Sequence, residues 1–430
     1  MTLFWFRRDL RLEDNAGLYR ALRQKKNVQP IFIFDKEILD KLEDKDDARI
    51  TFIHQEINRI NNELAESGAS ILTFYDSPLP IFKKLADEYD IESVYTNHDY
   101  EPYAKERDQT IGDFLESKNI AFKSYKDQVI FEKDEVLKDD GDPYVVYTPY
   151  SKKWKEKLND FYVKSYPTSS YFSNLRRHKE KNILDLEEMG FEKSDQEFPD
   201  KKYDQELVKD YDETRDIPSI RGTSRLSLHL RFGTVSIRNL VRHAQKDNQV
   251  WLNELIWREF YMQILWHFPH VVDTSFRQKY DQIEWMNDEE NFQKWCDGKT
   301  GYPIVDAGMR ELNQTGFMHN RVRMIVASFL TKHLLIDWRW GEAYFGRKLL
   351  DYELASNNGG WQWAAGTGVD AAPYFRIFNP YTQTDKFDPD FKYIKKWVPE
   401  YDDEKKYPEA IVEHKEARER ALETYKRGLN

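Results

Sequence analysis

TLFWFRRDL, residues 2–10, opens the chain with a short apolar run that ends at two arginines. Longer segments with helical periodicity follow, most clearly at residues 48–65 and 101–115. Strands that alternate with helices at this spacing form a parallel sheet covered on both faces. Residues 1–130 are therefore predicted to fold as an α/β domain with a doubly wound parallel sheet. The other predicted strands are at residues 30–34, 70–75, 93–96 and 121–125.

The remainder of the chain changes character twice. Residues 131–210 are charged, contain scattered prolines and show poor periodicity, which is typical of a long connector with one helix near residues 151–164. From residue 211 to residue 430 the pattern is helical and rich in tryptophan. The sequence predicts an all-helical second domain there. Its clearest predicted helices are at residues 239–244, 249–268, 302–315, 319–335 and 340–349.

The composition limits the classes of protein that this chain can be. Hydrophobic residues make up 40% and charged residues 33% of its 430 residues, as in a globular protein with little disorder. No apolar run approaches the roughly 18 residues that a membrane span needs, and charges begin at Arg7, before a signal-peptide core could form. The single cysteine, Cys296, excludes an internal disulfide and a cysteine-rich metal site. The sequence predicts a cytoplasmic protein without a metal centre.

The charge of the chain is unevenly distributed. The formal net charge is −11, which argues against nucleic acid as a partner. Residues 215–270, however, hold eight Arg or Lys and four Asp or Glu, so that this segment alone carries +4. A local basic face is sufficient for phosphate contacts. Taken singly, each of these residues could equally belong to a solvated helix face.

An unusual stripe of residues lies on the second predicted helix of the helical domain. Trp251, Glu254, Trp257 and Tyr261 share one face, and Arg258 is adjacent to it. Aromatic rings that flank a carboxylate would suit a base rotated out of DNA, with the carboxyl group addressing its Watson–Crick edge. An amphipathic helix in which Glu254 and Arg258 form an ion pair explains the pattern equally well.

The segment NNGGWQWAAGTGVDAAPYFRIFNP, residues 357–380, combines small and aromatic residues. Glycine and alanine at this density allow the backbone to approach a flat ligand closely. Trp361 and Trp363 are two positions apart and must point in nearly opposite directions, so one could face a cofactor and the other a substrate. A glycine-rich loop with two core tryptophans is the alternative.

Two further segments place polar residues near predicted helix starts. GTSRLS, residues 222–227, has hydroxyl and backbone N–H groups that could cradle a diphosphate, although Thr and Ser are also ordinary N-caps. MHNRVRM, residues 318–324, has polar, basic and soft side chains that could line a pocket for an uncharged base. His319 by itself indicates little, because a histidine at a helix start is usually structural.

Together these segments resemble the photolyase and cryptochrome family over nearly the whole chain, and within it the class I photolyases of cyclobutane pyrimidine dimers. The resemblance implies an α/β antenna domain at residues 1–130, a connector at 131–210, and a helical domain at 211–430 that binds FAD and DNA. It also implies a monomer that repairs pyrimidine dimers by electron transfer from photo-excited, reduced FAD to the flipped-out dimer. The motifs that carry it are residues 3–15, residues 222–227, the helix containing Glu254, residues 300–310 and residues 357–380.

The resemblance also implies which residues hold cofactors. Arg323 and Asp351 are similar to an ion pair beside the flavin ring, and Asn357 is similar to the residue that faces flavin N5. Glu353 departs from the family pattern, which commonly has Asp near the adenosine half of FAD. A second, antenna chromophore in the N-terminal domain could be a folate, a deazaflavin or a flavin, because Asn97, Glu101 and their neighbours fit more than one. The implied FAD contacts are Tyr211, Thr223, Ser224, Arg225, Leu226, Ser227, Trp251, Arg258, Arg323, Asp351, Glu353 and Asn357.

A second set of residues is similar to the family's substrate pocket and electron-transfer chain. Glu254 and Asn320 are implied to be catalytic, and so are Trp285, Trp338 and Trp361, which match a chain that passes electrons from the surface to the flavin. The spacing of these tryptophans does not reveal that role. The implied substrate contacts are Glu254, Trp257, Asn320, Arg321, Met324, Trp363, Arg376 and Gln383.

The residues of this pocket also discriminate between subclasses. Six-four photolyases need histidines as proton donors at the positions of Asn320 and Met324. Plant-type photoreceptors have an aspartate opposite flavin N5, whereas Asn357 cannot supply a proton at ordinary pH. Repair of cyclobutane dimers is therefore favoured. The alternatives are a cryptochrome-type blue-light receptor that signals through a protein partner, and a generic helical protein that binds nucleic acid.

Overall fold

The structure is a computed structural model that describes residues 1–178, 183–403 and 405–429. The chain forms two compact units, and each unit is assembled from three segments. Among the described residues, no helix combines the length and the apolar character needed to span a bilayer. The first unit comprises Met1–Glu132, Lys157–Tyr203 and Arg225–His243, and the second comprises Lys133–Glu156, Asp204–Ser224 and Ala244–Asn430.

A parallel five-stranded sheet with the order β3-β2-β1-β4-β5 organises the first unit. All residues of its central strands β1 and β2 are buried, as expected for strands covered on both faces. The register places Phe4 of β1 between Pro30 of β2 and Tyr95 of β4. This sheet confirms the predicted doubly wound α/β domain. The strands are β1 (Thr2–Phe6), β2 (Val28–Asp35), β3 (Leu72–Asp76), β4 (Ser93–Asn97) and β5 (Ala121–Tyr125).

Helices connect the strands and are the main regular structure of the chain that follows them. The helices between the strands are α1 (Ala16–Gln24), α2 (Lys36–Leu39), α3 (Ala48–Ala65), α4 (Pro78–Glu88) and α5 (Pro102–Ser117). The next five are α6 (Tyr147–Lys157), α7 (Gln205–Lys209), α8 (Tyr211–Thr214), α9 (Ser227–Phe232) and α10 (Ile237–Asp247). The predominantly helical C-terminal half agrees with the prediction. Its helices are α11 (Gln249–His267), α12 (Glu289–Cys296), α13 (Pro303–Thr315), α14 (Asn320–Ser328), α15 (Trp338–Lys348), α16 (Leu354–Ala365), α17 (Pro380–Phe387), α18 (Lys392–Trp397) and α19 (His414–Leu429).

The bounds of two predicted helices differ most from those in the structure. The helix predicted at residues 151–164 is α6, which begins four residues earlier and ends at Lys157. The helix predicted at residues 319–335 is α14, and it continues as a π-helix over Phe329–His333. A short π-helix widens the turn by one residue and often occurs near functional sites. Hydrophobic periodicity does not distinguish such a turn from an ordinary α-helical one.

The first part of the glycine-rich segment, residues 357–365, is helical rather than a loop. Glu353 caps the N-terminus of α16 by accepting hydrogen bonds from Ser356, and α16 ends at Gly366, whose φ of 85° is left-handed. A Cβ atom at Gly359 would lie 2.2 Å from the ring of Tyr261, so this glycine permits close packing of α16 on α11. Packing between helices therefore outweighs the low helix propensity of glycine here.

A buried lysine lies on the π-helix. The Nζ atom of Lys332 donates to the carbonyl oxygen of Ala365 at 2.7 Å and lies 3.7 Å from the ring centre of Tyr425. Burial lowers the pKa of this amine well below its ordinary value of 10.5. An amine with a lowered folded-state pKa binds its proton more readily in the unfolded chain. As the pH falls below the unfolded pKa, folding therefore loses up to about 1.4 kcal/mol per pH unit until the folded pKa is reached.

Replacing Lys332 with methionine is expected to raise the free energy of unfolding near pH 7 by about 2 kcal/mol or more, and to flatten its dependence on pH. The Ala365 carbonyl keeps a partner, because the Tyr425 hydroxyl donates to it at 2.9 Å. Urea denaturation of the purified protein at several pH values measures both quantities. Lys415, which is exposed, provides the matched lysine-to-methionine control. An unchanged pH slope in the Lys332 variant would contradict the expectation.

Candidate functional site

Helix α11 carries the first group of predicted site residues. Its N-terminus is fixed by Asn248, whose side chain accepts hydrogen bonds from the backbone N–H groups of Val250 and Trp251. Trp251 is buried, whereas Glu254, Trp257, Arg258 and Tyr261 are half-buried. The polar and aromatic stripe predicted from the sequence is therefore present and partly accessible.

The carboxylate of Glu254 forms an ion pair with a residue far away in the sequence. Its Oε1 atom accepts a hydrogen bond from Nη1 of Arg215 at 2.5 Å. Burial raises the pKa of the Glu254 carboxyl, and the attraction of Arg215 opposes that rise. The guanidinium carbon of Arg215 also lies 5.5 Å from the ring centre of Tyr211, one of the predicted FAD contacts. Arg215 thus links the carboxylate to the predicted cofactor-binding residues.

A second ion pair extends this network to α14. Nε and Nη2 of Arg321 donate to Oδ1 of Asp216 at 3.1 and 2.8 Å. The guanidinium carbon of Arg321 lies 4.3 Å from the ring centre of Phe387, on the same face of α17 as Gln383 one turn earlier. Nη1 of Arg321 lies 3.8 Å from the sulfur of Met324. The structure therefore brings Glu254, Arg321, Met324 and the helix that carries Gln383 into one neighbourhood.

The indole ring of Trp257 is supported from one side. The ring of Tyr147 stacks on it, with a centroid distance of 3.7 Å and an interplanar angle of 4°. The Tyr147 hydroxyl donates to the carbonyl oxygen of Asn253 at 2.9 Å, and its backbone N–H donates to Asp370. Tyr261 also contacts Trp257, with tilted rings 5.6 Å apart. These contacts restrict the orientation of the indole plane.

The predicted flavin-facing residues lie on α14, α16 and the segment between α15 and α16. Nη2 of Arg323 donates to both carboxylate oxygens of Asp351, at 3.2 and 2.9 Å, and Nε donates to the carbonyl of Met318. The implied ion pair is therefore formed. Asn357 lies on the first turn of α16, where both hydrogen bonds of its amide nitrogen go to Glu342.

The polar groups on α16 of the second unit fit FAD. The Oδ1 atom of Asn357 makes no hydrogen bond to any described residue, and Asn357 itself is half-buried. One turn further along α16, a Cβ atom at Gly360 would meet no atom within 4 Å. This face of α16 thus presents an amide oxygen beside open space, as a flat ring with polar edges requires.

The other predicted FAD contacts differ in burial. Tyr211 is buried, and Thr223 and Ser224 are half-buried. Arg225, Leu226 and Ser227 belong to the first unit, where Leu226 precedes α9 and Arg225 has a left-handed φ of 52°.

The three predicted electron-transfer tryptophans differ in burial. Trp361 is buried and packs at 5.0 Å, ring to ring, against Phe345. Trp338 is also buried, and its indole N–H has no hydrogen-bond partner among the described residues. Trp285 is half-buried and meets the ring of Tyr425 at 5.8 Å. This order from buried to half-buried is compatible with a path between the interior and the surface, and the role stays a prediction.

The remaining predicted substrate residues are more exposed. Asn320 and Arg376 are exposed at the start of α14 and in the loop after α16. Trp363 is half-buried and packs against the main hydrophobic core, whereas Trp361 on the same helix is buried. The two indoles therefore have different environments, as their spacing predicted. Phe375, beside Arg376, has 61% of its surface exposed.

The first unit has a cluster of polar and charged side chains at the carboxyl ends of β1 and β4. The strand order reverses there, and α/β proteins commonly bind ligands at such a position. The Asn97 amide donates to Asp9 at 2.6 Å, and Arg8 donates to Glu101 at 2.7 Å. The guanidinium groups of Arg7 and Arg107 lie 4.9 and 5.0 Å from the ring centre of Trp5. Asn97 and Glu101, the residues considered for an antenna chromophore, thus belong to a polar, charged cluster at this edge of the sheet.

Sequence reasoning missed several residues of the site. Arg215 entered only as one charge in a basic segment, although it is the partner of Glu254. Tyr147 lay in the predicted connector, and Asp216 and Glu342 were not singled out. Their partners are 15 to 110 positions away in the chain, so no local periodicity could have identified these pairs.

Comparison with known proteins gives consistent results for both halves of the chain. Residues 2–169 match the family model described as DNA photolyase, and residues 251–406 match the FAD binding domain of DNA photolyase. A deoxyribodipyrimidine photo-lyase of Halobacterium salinarum is 35% identical over 480 residues, covering 99% of each chain. A solved archaeal photolyase from Sulfolobus tokodaii with two FAD molecules has a TM-score of 0.86 and 34% identity, and covers 99% of each chain. A cryptochrome of Synechocystis sp. has a TM-score of 0.85 and 25% identity with the same coverage.

Proposed function

The chain belongs to the DNA photolyase family, and on this premise we propose that it repairs cyclobutane pyrimidine dimers in DNA by light-driven electron transfer. It is an enzyme of light-dependent DNA repair with an FAD-binding domain in its C-terminal half. The observation that carries the finer proposal is the set of contacts that joins Glu254 to Arg215, and Asp216 to Arg321 and Met324, beside Trp257 on the same helix as Glu254. No histidine stands at positions 320 and 324.

Glu254 is proposed to hydrogen-bond a carbonyl oxygen of the dimer. Its raised pKa favours the protonated carboxyl group, which can donate a hydrogen bond as negative charge arrives on that carbonyl. Arg215 places a permanent positive charge 2.5 Å from the same carboxyl group. The pair therefore stabilises added negative charge in a partly desolvated pocket. Asn320, at the start of α14, is proposed to assist as a neutral hydrogen-bonding group.

Trp257 and Trp363 are proposed to hold the dimer by stacking. The stack of Tyr147 on Trp257 fixes the plane of the indole before the substrate arrives, which lowers the entropy cost of binding. Arg321, Arg376 and Gln383 are proposed to hold the DNA strand. The exposed position of Arg376 and the aromatic support beneath Arg321 are compatible with phosphate contacts.

FAD is proposed to be held by Tyr211, Thr223, Ser224, Arg225, Leu226, Ser227, Trp251, Arg258, Glu353, Asn357 and the Arg323–Asp351 pair. When bound and reduced, this cofactor supplies one electron to the dimer on excitation and regains it after the ring opens. Because light provides the driving energy, the protein residues chiefly position the reactants and exclude water. The Glu353 carboxylate caps α16 by accepting hydrogen bonds from Ser356.

A second chromophore is proposed to bind at the carboxyl ends of β1 and β4. The charged and aromatic groups around Trp5, Asn97 and Glu101 support a polar, ring-containing ligand, and a related archaeal structure contains two FAD molecules. The choice among folate, deazaflavin and flavin is distinguished by the absorption spectrum of the protein as purified.

Illumination of the reduced holoprotein with an oligonucleotide that contains one thymine dimer tests the proposed function. We expect dimers to be converted to thymines under near-ultraviolet or blue light and not in the dark. An oligonucleotide with a six-four photoproduct is the matched control and should stay unrepaired, because no histidine stands at positions 320 and 324. Absence of dimer repair by a fully reduced, FAD-loaded protein would contradict the proposal and favour the cryptochrome-type receptor, to which the Synechocystis likeness also points.

A further inference from the structure

The side-chain amide of Asn357 is anchored by a single residue of the neighbouring helix. Its Nδ2 atom donates to Oε1 of Glu342 at 2.8 Å and to the backbone carbonyl oxygen of Glu342 at 3.1 Å. Glu342 lies on α15, and Asn357 lies on the first turn of α16. The two helices pack directly on each other, since a Cβ atom at Gly341 would lie 2.1 Å from the ring of Trp361.

These two contacts determine which end of the carboxamide faces outward. The carboxylate oxygen and the backbone carbonyl oxygen are both acceptors, so only the NH₂ end of the amide can satisfy both. With both N–H bonds directed at Glu342, the Oδ1 atom points away from it. Among the described residues, none donates a hydrogen bond to this oxygen. The reverse orientation would place two oxygens against an amide oxygen and leave the N–H groups without these partners.

We propose that Glu342 is a positioning residue that holds the Asn357 amide with its oxygen toward N5 of the bound flavin. The inference rests on the proposed function, because Asn357 is assigned to N5 by the family resemblance. A flavin carries a hydrogen on N5 only when it is reduced, and an amide oxygen can accept a hydrogen bond from that N–H. An amide NH₂ group would instead donate to the N5 lone pair of the oxidised ring. The fixed orientation therefore favours the reduced flavin that repair requires.

The charge of Glu342 alone would have the opposite effect. A nearby carboxylate opposes the addition of negative charge to the flavin and so disfavours reduction. Burial raises the pKa of the Glu342 carboxyl, while hydrogen bonds from Asn357 and Tyr352 oppose that rise. Loss of the anchor should lower the reduction potential of FAD, whereas loss of the charge should raise it. The sign of the change thus separates positioning from simple electrostatics.

The reduction potential of FAD in the holoprotein provides the test. In Glu342→Met, which removes the carboxylate but keeps an unbranched side chain, we expect the equilibrium constant for two-electron reduction to fall by about tenfold, which is about 30 mV. Glu342→Gln removes the charge but retains an acceptor oxygen for Asn357, so its potential should lie at or above that of the wild type. An unchanged or raised potential in Glu342→Met would overturn the proposal.

A double-mutant cycle with Asn357→Leu provides the second readout, because leucine has no amide to orient. In that background Glu342→Met should no longer lower the potential, because only the effect of the lost charge remains. An equal fall in both backgrounds would overturn the inference, since Glu342 would then act without Asn357. FAD occupancy and thermal unfolding confirm that each variant is folded and loaded. A loaded protein that follows the cycle but repairs no dimers would contradict the proposed function while leaving the positioning role intact.

Discussion

Replacing Glu254 with alanine is expected to lower the quantum yield of dimer repair by about tenfold, the scale of one lost hydrogen bond to a charged group. Glu254 is the carboxyl group that can donate to the dimer carbonyl, and burial raises its pKa. Yields measured at saturating DNA, per dimer bound, separate this effect from weaker binding. Glu254→Gln keeps an N–H donor and should retain a larger share of the yield. A Glu254→Ala protein with an undiminished yield would contradict the role.

The same assignment fixes the direction of the pH dependence. A carboxyl group donates a hydrogen bond only when it is protonated, so the yield should decline as the pH rises through the pKa of Glu254. Arg215 opposes the rise of that pKa, and Arg215→Met should therefore shift the decline to higher pH. In Glu254→Gln the decline should disappear, because an amide does not titrate in this range.

Replacing Trp257 with alanine is expected to reduce the preference for damaged over intact DNA by about tenfold or more. Stacking of a base on an aromatic ring contributes roughly 1–3 kcal/mol, and only a base rotated out of the helix can reach the Trp257 ring. Dissociation constants for matched oligonucleotides with and without one dimer measure this ratio. Trp257→Phe keeps a stacking surface and should lose less.

Two further variants test whether the lower preference for damaged DNA is caused by loss of the Trp257–Tyr147 stack. Tyr147→Leu removes the ring that lies 3.7 Å from Trp257 and should reduce the same ratio by a smaller factor, because the indole remains but is less constrained. Trp266 is nine residues along α11 and on the opposite face, with its ring beneath Lys133. Trp266→Ala is the matched control, and an equal loss in that variant would show that destabilised folding is the cause.

Much of the architecture could be predicted because buried elements have a recognisable pattern of apolar residues along the sequence. β1 and β2 are buried on both faces, so each reads as a continuous apolar run. Helix α11 was predicted within one residue at its C-terminal end, since Asn248 is a strong N-cap and the helical period continues to His267. Helix α16 was not predicted, because Gly359 and Gly360 have low helix propensity and their contribution depends on contacts with other helices.

The sequence predicted which residues belong to the candidate site better than it predicted which of them contact each other. The sequence indicated that Glu254 and Trp257 share a helix face, and the structure confirms this arrangement. One explanation of this pattern in the sequence was an ion pair of Glu254 within its own helix. In the structure Glu254 pairs instead with Arg215, 39 positions earlier in the chain. The support of Trp257 by Tyr147 depends in the same way on a contact across 110 positions.

The parallel sheet, the helical C-terminal half and the family resemblance could be inferred from the amino-acid sequence alone, because hydrophobic period and motif order are properties of neighbouring residues. The contacts of Arg215 with Glu254, of Tyr147 with Trp257 and of Glu342 with Asn357 are visible only in the folded chain. Hydrogen-bond and stacking partners are selected by the packing of whole helices, which brings together groups that no local pattern relates.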